Sequence, residues 1–366
     1  MGMADMQAVK TRIDWVDYAK GICIILVVAM HSTAGVQKEA GAISALNSFI
    51  EWAKPFRMPD FFMISGLFLA SRINRPWRAY LDTKFLHFAY FYVLWMTIQF
   101  LTKGYGIYAG EGLAGLGREY LLGFVEPFGT LWFIYMLAVF FVVVKALRKV
   151  PPLAIFAVAA LLEAAHIHTS ATLIDEFAAR FVYFFTGYWL ANRVFALAAG
   201  VDGFSPFQIL SGLLVWAAAN LVFVQAGWSQ LPGVSLCLGL VGAMAVVSSG
   251  VLLSKFKAAD PLRYCGENSI VIYLSFFLFM ASTRTVLLKF APGLGLNAIS
   301  LLTTMAGVIG PVLLFWATRG TRLDFLFKRP AWARLAEPGK GWHSDTHVRK
   351  PASTFQPQAR GPSLSH

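Results

Sequence analysis

His31 closes the run Gly21-Ile-Cys-Ile-Ile-Leu-Val-Val-Ala-Met-His31, in which no other charged side chain occurs. A group that titrates near neutrality, held in or at the edge of hydrocarbon, faces a protein interior or a wet cavity and has a partner. The next apolar run opens with Phe56-Arg57-Met58-Pro59-Asp60, and two consecutive antiparallel spans bring that opening level with His31. Asp60 or Arg57 is therefore the expected partner. A carboxylate bonded to one ring nitrogen fixes the tautomer and makes the other nitrogen a general base toward an attacking hydroxyl. Two plainer arrangements fit the same residues: a histidine bonded to a carbonyl or an interfacial water, and an Arg57–Asp60 ion pair on one helix.

Lys20 precedes His31 by eleven residues, about 16 Å of helical rise, so the two stand at opposite ends of one rod. Level with Lys20, the connection after the second run carries Arg72, Arg75, Arg78, Lys84 and His87. Six potential cations around one entrance suit a donor bearing phosphate groups, although loops on the positive side of any membrane protein have a similar composition. Lys20, Arg78, Lys84 and His87 are the candidates for donor binding. Ser65-Gly66 reads as a small pair that lets helices approach closely.

The elements that must position these residues are membrane spans. Of 366 residues, 57% are hydrophobic and 14% charged, and the mean hydropathy is +0.61. Soluble domains are about 45–50% apolar and about 25% charged. Apolar runs recur about ten times between Ala19 and Thr318, each near the length that crosses a bilayer. The fold expected is all-α, a polytopic membrane protein of about ten transmembrane helices. Most of the 31 lysines and arginines fall in alternate connections and in the tail, which places both termini in the cytoplasm. The net charge of +12 is thus topological in origin and does not call for nucleic acid as a partner.

Residues 1–18 read as a cytoplasmic N-terminal segment, 19–318 as the transmembrane domain, and 319–366 as a basic tail. Beyond about Pro338 that tail is expected to be disordered, with its nearer part against anionic membrane lipid. The stretch Gln37 to Phe56 has apolar residues at helical spacing and suits an interfacial helix. The connection Lys103 to Gly129 is long enough to fold over a cavity mouth. Cys23, Cys237 and Cys265 have no metal-ligand or disulfide spacing and read as small buried hydrophobes.

Several motifs fall in a familiar order: Asp14-Trp-Val-Asp-Tyr-Ala-Lys-Gly21 leading to His31-Ser32, then Phe61-Phe-Met-Ile-Ser-Gly-Leu-Phe-Leu69. Thr130-Leu-Trp-Phe-Ile-Tyr135, Phe184-Phe-Thr-Gly-Tyr188 and Gly266-Glu-Asn-Ser-Ile-Val-Ile-Tyr-Leu274 follow. Over roughly residues 12 to 318 the series resembles the acyltransferase 3 family of bacterial inner-membrane O-acyltransferases. The resemblance implies a catalytic His31, acyl-CoA as donor on the cytoplasmic side, and a glycan or lipid-linked sugar hydroxyl as acceptor from the other side. It implies no bound cofactor.

The chain departs from the family pattern at three places. Lys20 stands where arginine is common, Lys84-Phe-Leu-His87 replaces an Arg-x-x-Arg pair, and Tyr273-Leu-Ser-Phe276 replaces Tyr-Leu-x-His. These differences place it in a divergent branch, nearer the less characterised inner-membrane members than the best-studied glycan acetylases. Lysine keeps the charge but loses the planar fork. The expected activity is transfer of an acetyl or other short acyl group. Two alternatives use the same residues: a transporter of a small anionic or sugar-like solute with His31 as a proton relay, and a degenerate member with an assembly role.

Overall fold

A computed structural model describes residues 13–256 and 259–335. Every regular element among them is helical: α1 Asp14–Ala40, α2 Leu46–Leu67, α3 Trp77–Leu81, α4 His87–Leu122, α5 Trp132–Ala146, α6 Pro152–Ala164 and α7 Thr172–Trp189. Six more follow: α8 Ala191–Asp202, α9 Pro206–Gln225, α10 Val234–Phe256, α11 Asp260–Glu267, α12 Ser269–Phe290 and α13 Gly295–Thr318.

α1 is the central rod. Asp14 and Asp17 in its first turn suit the positive end of the helix dipole, and Gly41, in the left-handed conformation at φ 63°, ends it. It packs against α2, α10, α11, α12 and α13. Around it the chain folds as neighbouring pairs, α4 with α5, α6 with α7, α9 with α10 and α12 with α13.

Among the described residues, seven helical segments are long and apolar enough to cross a membrane; they contain α1, α4, α5, α9, α10, α12 and α13. The other three expected spans coincide with α2, α6 and α7. α6 has only 13 residues, about 20 Å of rise. α2 and α7 carry charge, which is tolerable where a helix faces protein rather than lipid; most of α2 from Pro55 onward is buried.

The α2–α7 crossing depends on two glycines. A Cβ at Gly66 would lie 2.2 Å from the Phe184 carbonyl oxygen, and one at Gly187 would lie 2.0 Å from that of Met63. The close packing expected of Ser65-Gly66 is therefore realised by backbones in near contact. α11 sits against α1 in the same way, since a Cβ at Gly266 would lie 1.7 Å from the Asp17 carbonyl oxygen.

Two expectations about connections need correction, and the near part of the tail has a structure of its own. The interfacial helix expected over Gln37 to Phe56 is the first half of α2, because Ile50 and Ala53 are buried within the protein and Trp52 Nε1 donates to Ala217 O on α9 at 3.1 Å. The Lys103 to Gly129 connection is a helical hairpin rather than a flap: α4 turns at Gly112 (φ 67°), and Tyr120 returns to within 2.9 Å of the Thr97 hydroxyl. The tail is folded from Arg319 through Leu335, with short turns at Arg322–Leu326 and Ala331–Ala333. Its disorder was expected beyond Pro338, which lies outside the described residues, as does most of the segment 1–18.

Candidate active site

At the Lys20 end of α1 there is a cavity of about 210 Å³. Lys20 and Lys84 line it, together with Ser65, Ser269, and a wall of aromatic rings that includes Phe61, Phe133 and Tyr273. Lys84 comes from the π-helical turn Asp82–Leu86 that leads into α4, and its ammonium lies 4.4 Å from the Phe141 ring centre. Lys20 Nζ lies 5.8 Å from that of Phe68. Arg72, Arg75 and Lys20 are all near enough to act on the Lys84 charge. An anion entering here meets several cations, with the first turn of α12 at Ser269 and Ile270 on the same wall.

Two of the four expected donor-binding residues are not part of that wall. Arg78 is exposed and donates to Leu335 O at 3.1 Å. His87 packs edge-on against Phe88 and Phe91, with ring centres 5.4 and 5.0 Å away. It lies one helical turn beyond Lys84 and does not line the cavity. Lys145 is also taken up: its ammonium donates to the carbonyls of Ile73 and Arg75, pinning the loop that carries Arg72 and Arg75.

Ring contacts lead from the cavity to His31. Phe61 stacks on Phe133 at 4.4 Å, Phe133 meets Tyr273 at 5.4 Å, Tyr273 meets Phe276 at 6.2 Å, and Phe276 meets His31 at 5.5 Å. Phe276, the residue at the position of the missing second histidine, thus packs directly on His31. Tyr273 is fixed between two motifs: its hydroxyl donates to Thr130 O and accepts from the Phe133 N–H at 3.1 Å.

The expected His31–Asp60 pair is absent. Asp60 is wholly buried, and neither of its carboxyl oxygens has a hydrogen-bond partner among the described residues. It acts electrostatically on Cys23, eight residues before His31 on α1, about 12 Å toward the Lys20 end. Arg57, one turn earlier on α2, is the residue that acts on His31. The alternative Arg57–Asp60 ion pair is absent as well. Arg57 is buried, its Nη1 donating to Ile50 O at 3.5 Å and its Nε lacking a partner. Pro55 and Pro59 interrupt the hydrogen-bond ladder of α2 at this level.

Sequence reasoning missed Arg284 on α12. Its Nη2 lies 2.6 Å from Glu39 on α1, and its guanidinium fills the space beside Gly35, one turn beyond His31. An arginine within an apolar run was the available signal.

One helix, α1, thus carries Lys20 beside a cationic cavity at one end and His31 beside Arg57 at the other. Residues 13–318 match the family described as an acyltransferase domain, and the chain belongs to that family, as its ordered motifs indicated. It is similar to the inner membrane protein YcfT of Escherichia coli (strain K12), with 26% identity over 287 residues, covering 71% of this chain and 77% of that protein. No solved structure matches it.

Proposed function

We propose that the protein transfers an acetyl or other short acyl group from acyl-CoA to a hydroxyl of a surface glycan or lipid-linked sugar. It is a multi-pass protein of the bacterial inner membrane. In this reading ten helices cross the bilayer, both termini are cytoplasmic, Lys20 and Lys84 receive the donor phosphates from the cytoplasm, and the acceptor reaches His31 from the opposite face. The observation that carries the reading is the placement of Lys20, beside the cationic cavity, and His31, beside Arg57, on one continuous helix within an acyltransferase family.

The chemistry follows from that placement. His31 takes the proton of the acceptor hydroxyl as its oxygen attacks the thioester carbonyl, and the Arg57 guanidinium stabilises the oxyanion. Collapse of the tetrahedral intermediate breaks the carbon–sulfur bond. The leaving CoA thiolate recovers the proton from His31, and the acyl ester is released.

The test is transfer of labelled acetyl from acetyl-CoA to endogenous acceptors in membranes containing wild type or His31→Ala. General-base removal is expected to lower the rate about 10²–10⁴-fold. Full transfer with His31 gone would remove the mechanism.

A further inference from the structure

The acyl-transfer scheme leaves a second cavity unused. It measures about 300 Å³ and lies at the His31 end of the bundle, where Lys54 and Pro55 of α2 meet the α6–α7 turn and the start of α10. Most of its lining residues are polar, and they come from four parts of the chain.

Glu163 is the central group. It is 6% exposed; Oε1 accepts from the Tyr183 hydroxyl at 3.0 Å, while Oε2 is buried with no partner among the described residues. The Ser235 hydroxyl, from α10, is likewise buried and unpartnered. A buried polar atom left without a hydrogen bond costs about 1–3 kcal/mol, so both atoms mark positions that a ligand's polar groups would satisfy.

The two cations of the wall each have a carboxylate beside them, and Asp175 is held by neutral donors. Arg180 Nε donates to Glu176 at 3.1 Å, and Lys54 lies 3.5 Å from Glu51. Asp175 accepts the Thr169 N–H at 2.7 Å and its hydroxyl at 2.8 Å. Glu163, Asp175 and Glu176 outnumber Lys54 and Arg180 on the wall, so an anion is disfavoured, and because these carboxylates already accept bonds from Tyr183, Thr169 and Arg180, hydroxyl donors suit the atoms left over. The wall also offers the Gln230 amide and the imidazoles of His166 and His168. Both imidazoles sit on a turn where His166 (φ 45°) and Ser170 (φ 69°) are left-handed. That conformation is costly for such residues and persists where the surroundings fix it.

We infer that this cavity binds a neutral, hydroxyl-rich ligand of monosaccharide size, with Glu163 Oε2 and Ser235 Oγ accepting its hydroxyl protons. Each sugar hydroxyl both donates and accepts, as a wall of mixed donors and acceptors requires. The volume lies at the small end of ligand sites, about 300–1,000 Å³. Arg180 in the wall acts on Arg57, which acts on His31. Lys54 and Pro55 of the wall lie within one turn of Arg57 on α2, so the bound unit is a non-reacting part of the acceptor, a role that rests on the acyl-transfer reading; the binding itself does not.

Saturation-transfer NMR on the purified full chain, in a detergent without a sugar headgroup, tests the inference. The probes are glucose, galactose and N-acetylglucosamine, with tetramethylammonium and acetate as charged controls. Wild type and His31→Ala are expected to saturate at least one sugar and neither control. Glu163→Gln, which keeps an acceptor for Tyr183, and Ser235→Ala are each expected to weaken that binding about tenfold or more with unchanged thermal melting. Absence of sugar binding, preference for a charged control, or undiminished binding by folded Glu163→Gln would overturn it. Sugar binding with no acyl transfer would instead overturn the function alone.

Discussion

Asp60 and Arg57 stand one helical turn apart on α2 and imply different chemistry. If Asp60 oriented His31, as in a His–Asp pair, its conversion to asparagine would lower turnover about 10⁴-fold. The carboxyl makes no hydrogen bond, so Asp60→Asn is expected to keep kcat within about tenfold of wild type, under 1.4 kcal/mol of barrier. Arg57→Ala is expected to lower kcat about 10²–10³-fold, the cost of losing an oxyanion donor. Steady-state assays of the two variants in membranes decide between them. His31, Lys20 and Lys84 were legible in the sequence because a charge in or beside an apolar run is a strong signal. The partner of His31 was not, since the register of α2 against α1 is set by where α7 and α10 let α2 settle, and no local pattern carries that. The same limit applies to His87, whose side of the helix follows from the π turn before it.

Among the elements, the family motifs act as joints. Gly66 and Gly187 close the α2–α7 crossing, Gly266 seats α11 on the turn of α1 that carries Asp17, and Tyr273 ties α12 to the start of α5. Each motif was visible as a string, but its meaning as a backbone contact required the fold. No motif announced the joint made by the tail. Arg329 Nη2 bonds Asp82 at 2.8 Å, and the Leu335 N–H donates to the other carboxyl oxygen at 2.7 Å. Tyr90 and Trp95 hold Phe325 O and Leu326 O, each at 3.0 Å. Arg329 and Asp82 are 7% and 0% exposed, and Asp82 begins the turn that presents Lys84. Arg329→Ala strands a buried carboxylate and is expected to destabilise the protein by about 3–5 kcal/mol. Part of that loss should return in the Asp82→Ala/Arg329→Ala double variant, because the two sites are coupled. The melting temperatures of the purified Arg329→Ala, Asp82→Ala and double variants measure both effects; a double-variant loss equal to the sum of the two single losses would show that the pair is not coupled.

At the scale of the molecule, the number of crossings separates two topologies. If only the seven helical segments that satisfy length and hydropathy cross, the count is odd, the termini lie on opposite faces, and the connection after α5 faces outward. That would put Lys145, Arg148 and Lys149 on the side that basic residues avoid. Ten crossings, adding α2, α6 and α7, put those three residues and the basic tail inside, and they place His31 and the Glu163 cavity on the outer face together. α6 is short for a span, but a short helix is accommodated at modest cost by local thinning of the bilayer or by its neighbours, and α7 packs along it. With ten crossings, reporter fusions after Lys149 and Leu335 should be active only as cytoplasmic reporters, and one after Gly227 only as an exported reporter. The seven-crossing arrangement reverses all three. The end of α5 is tied to the loop at the Lys20 end of the bundle, where Lys145 bonds Ile73 O and Arg75 O, so an exported reporter active after Lys149 would put the cavity of Lys20 and Lys84 outside, away from cytoplasmic acyl-CoA, and the proposed two-sided mechanism would fall with it.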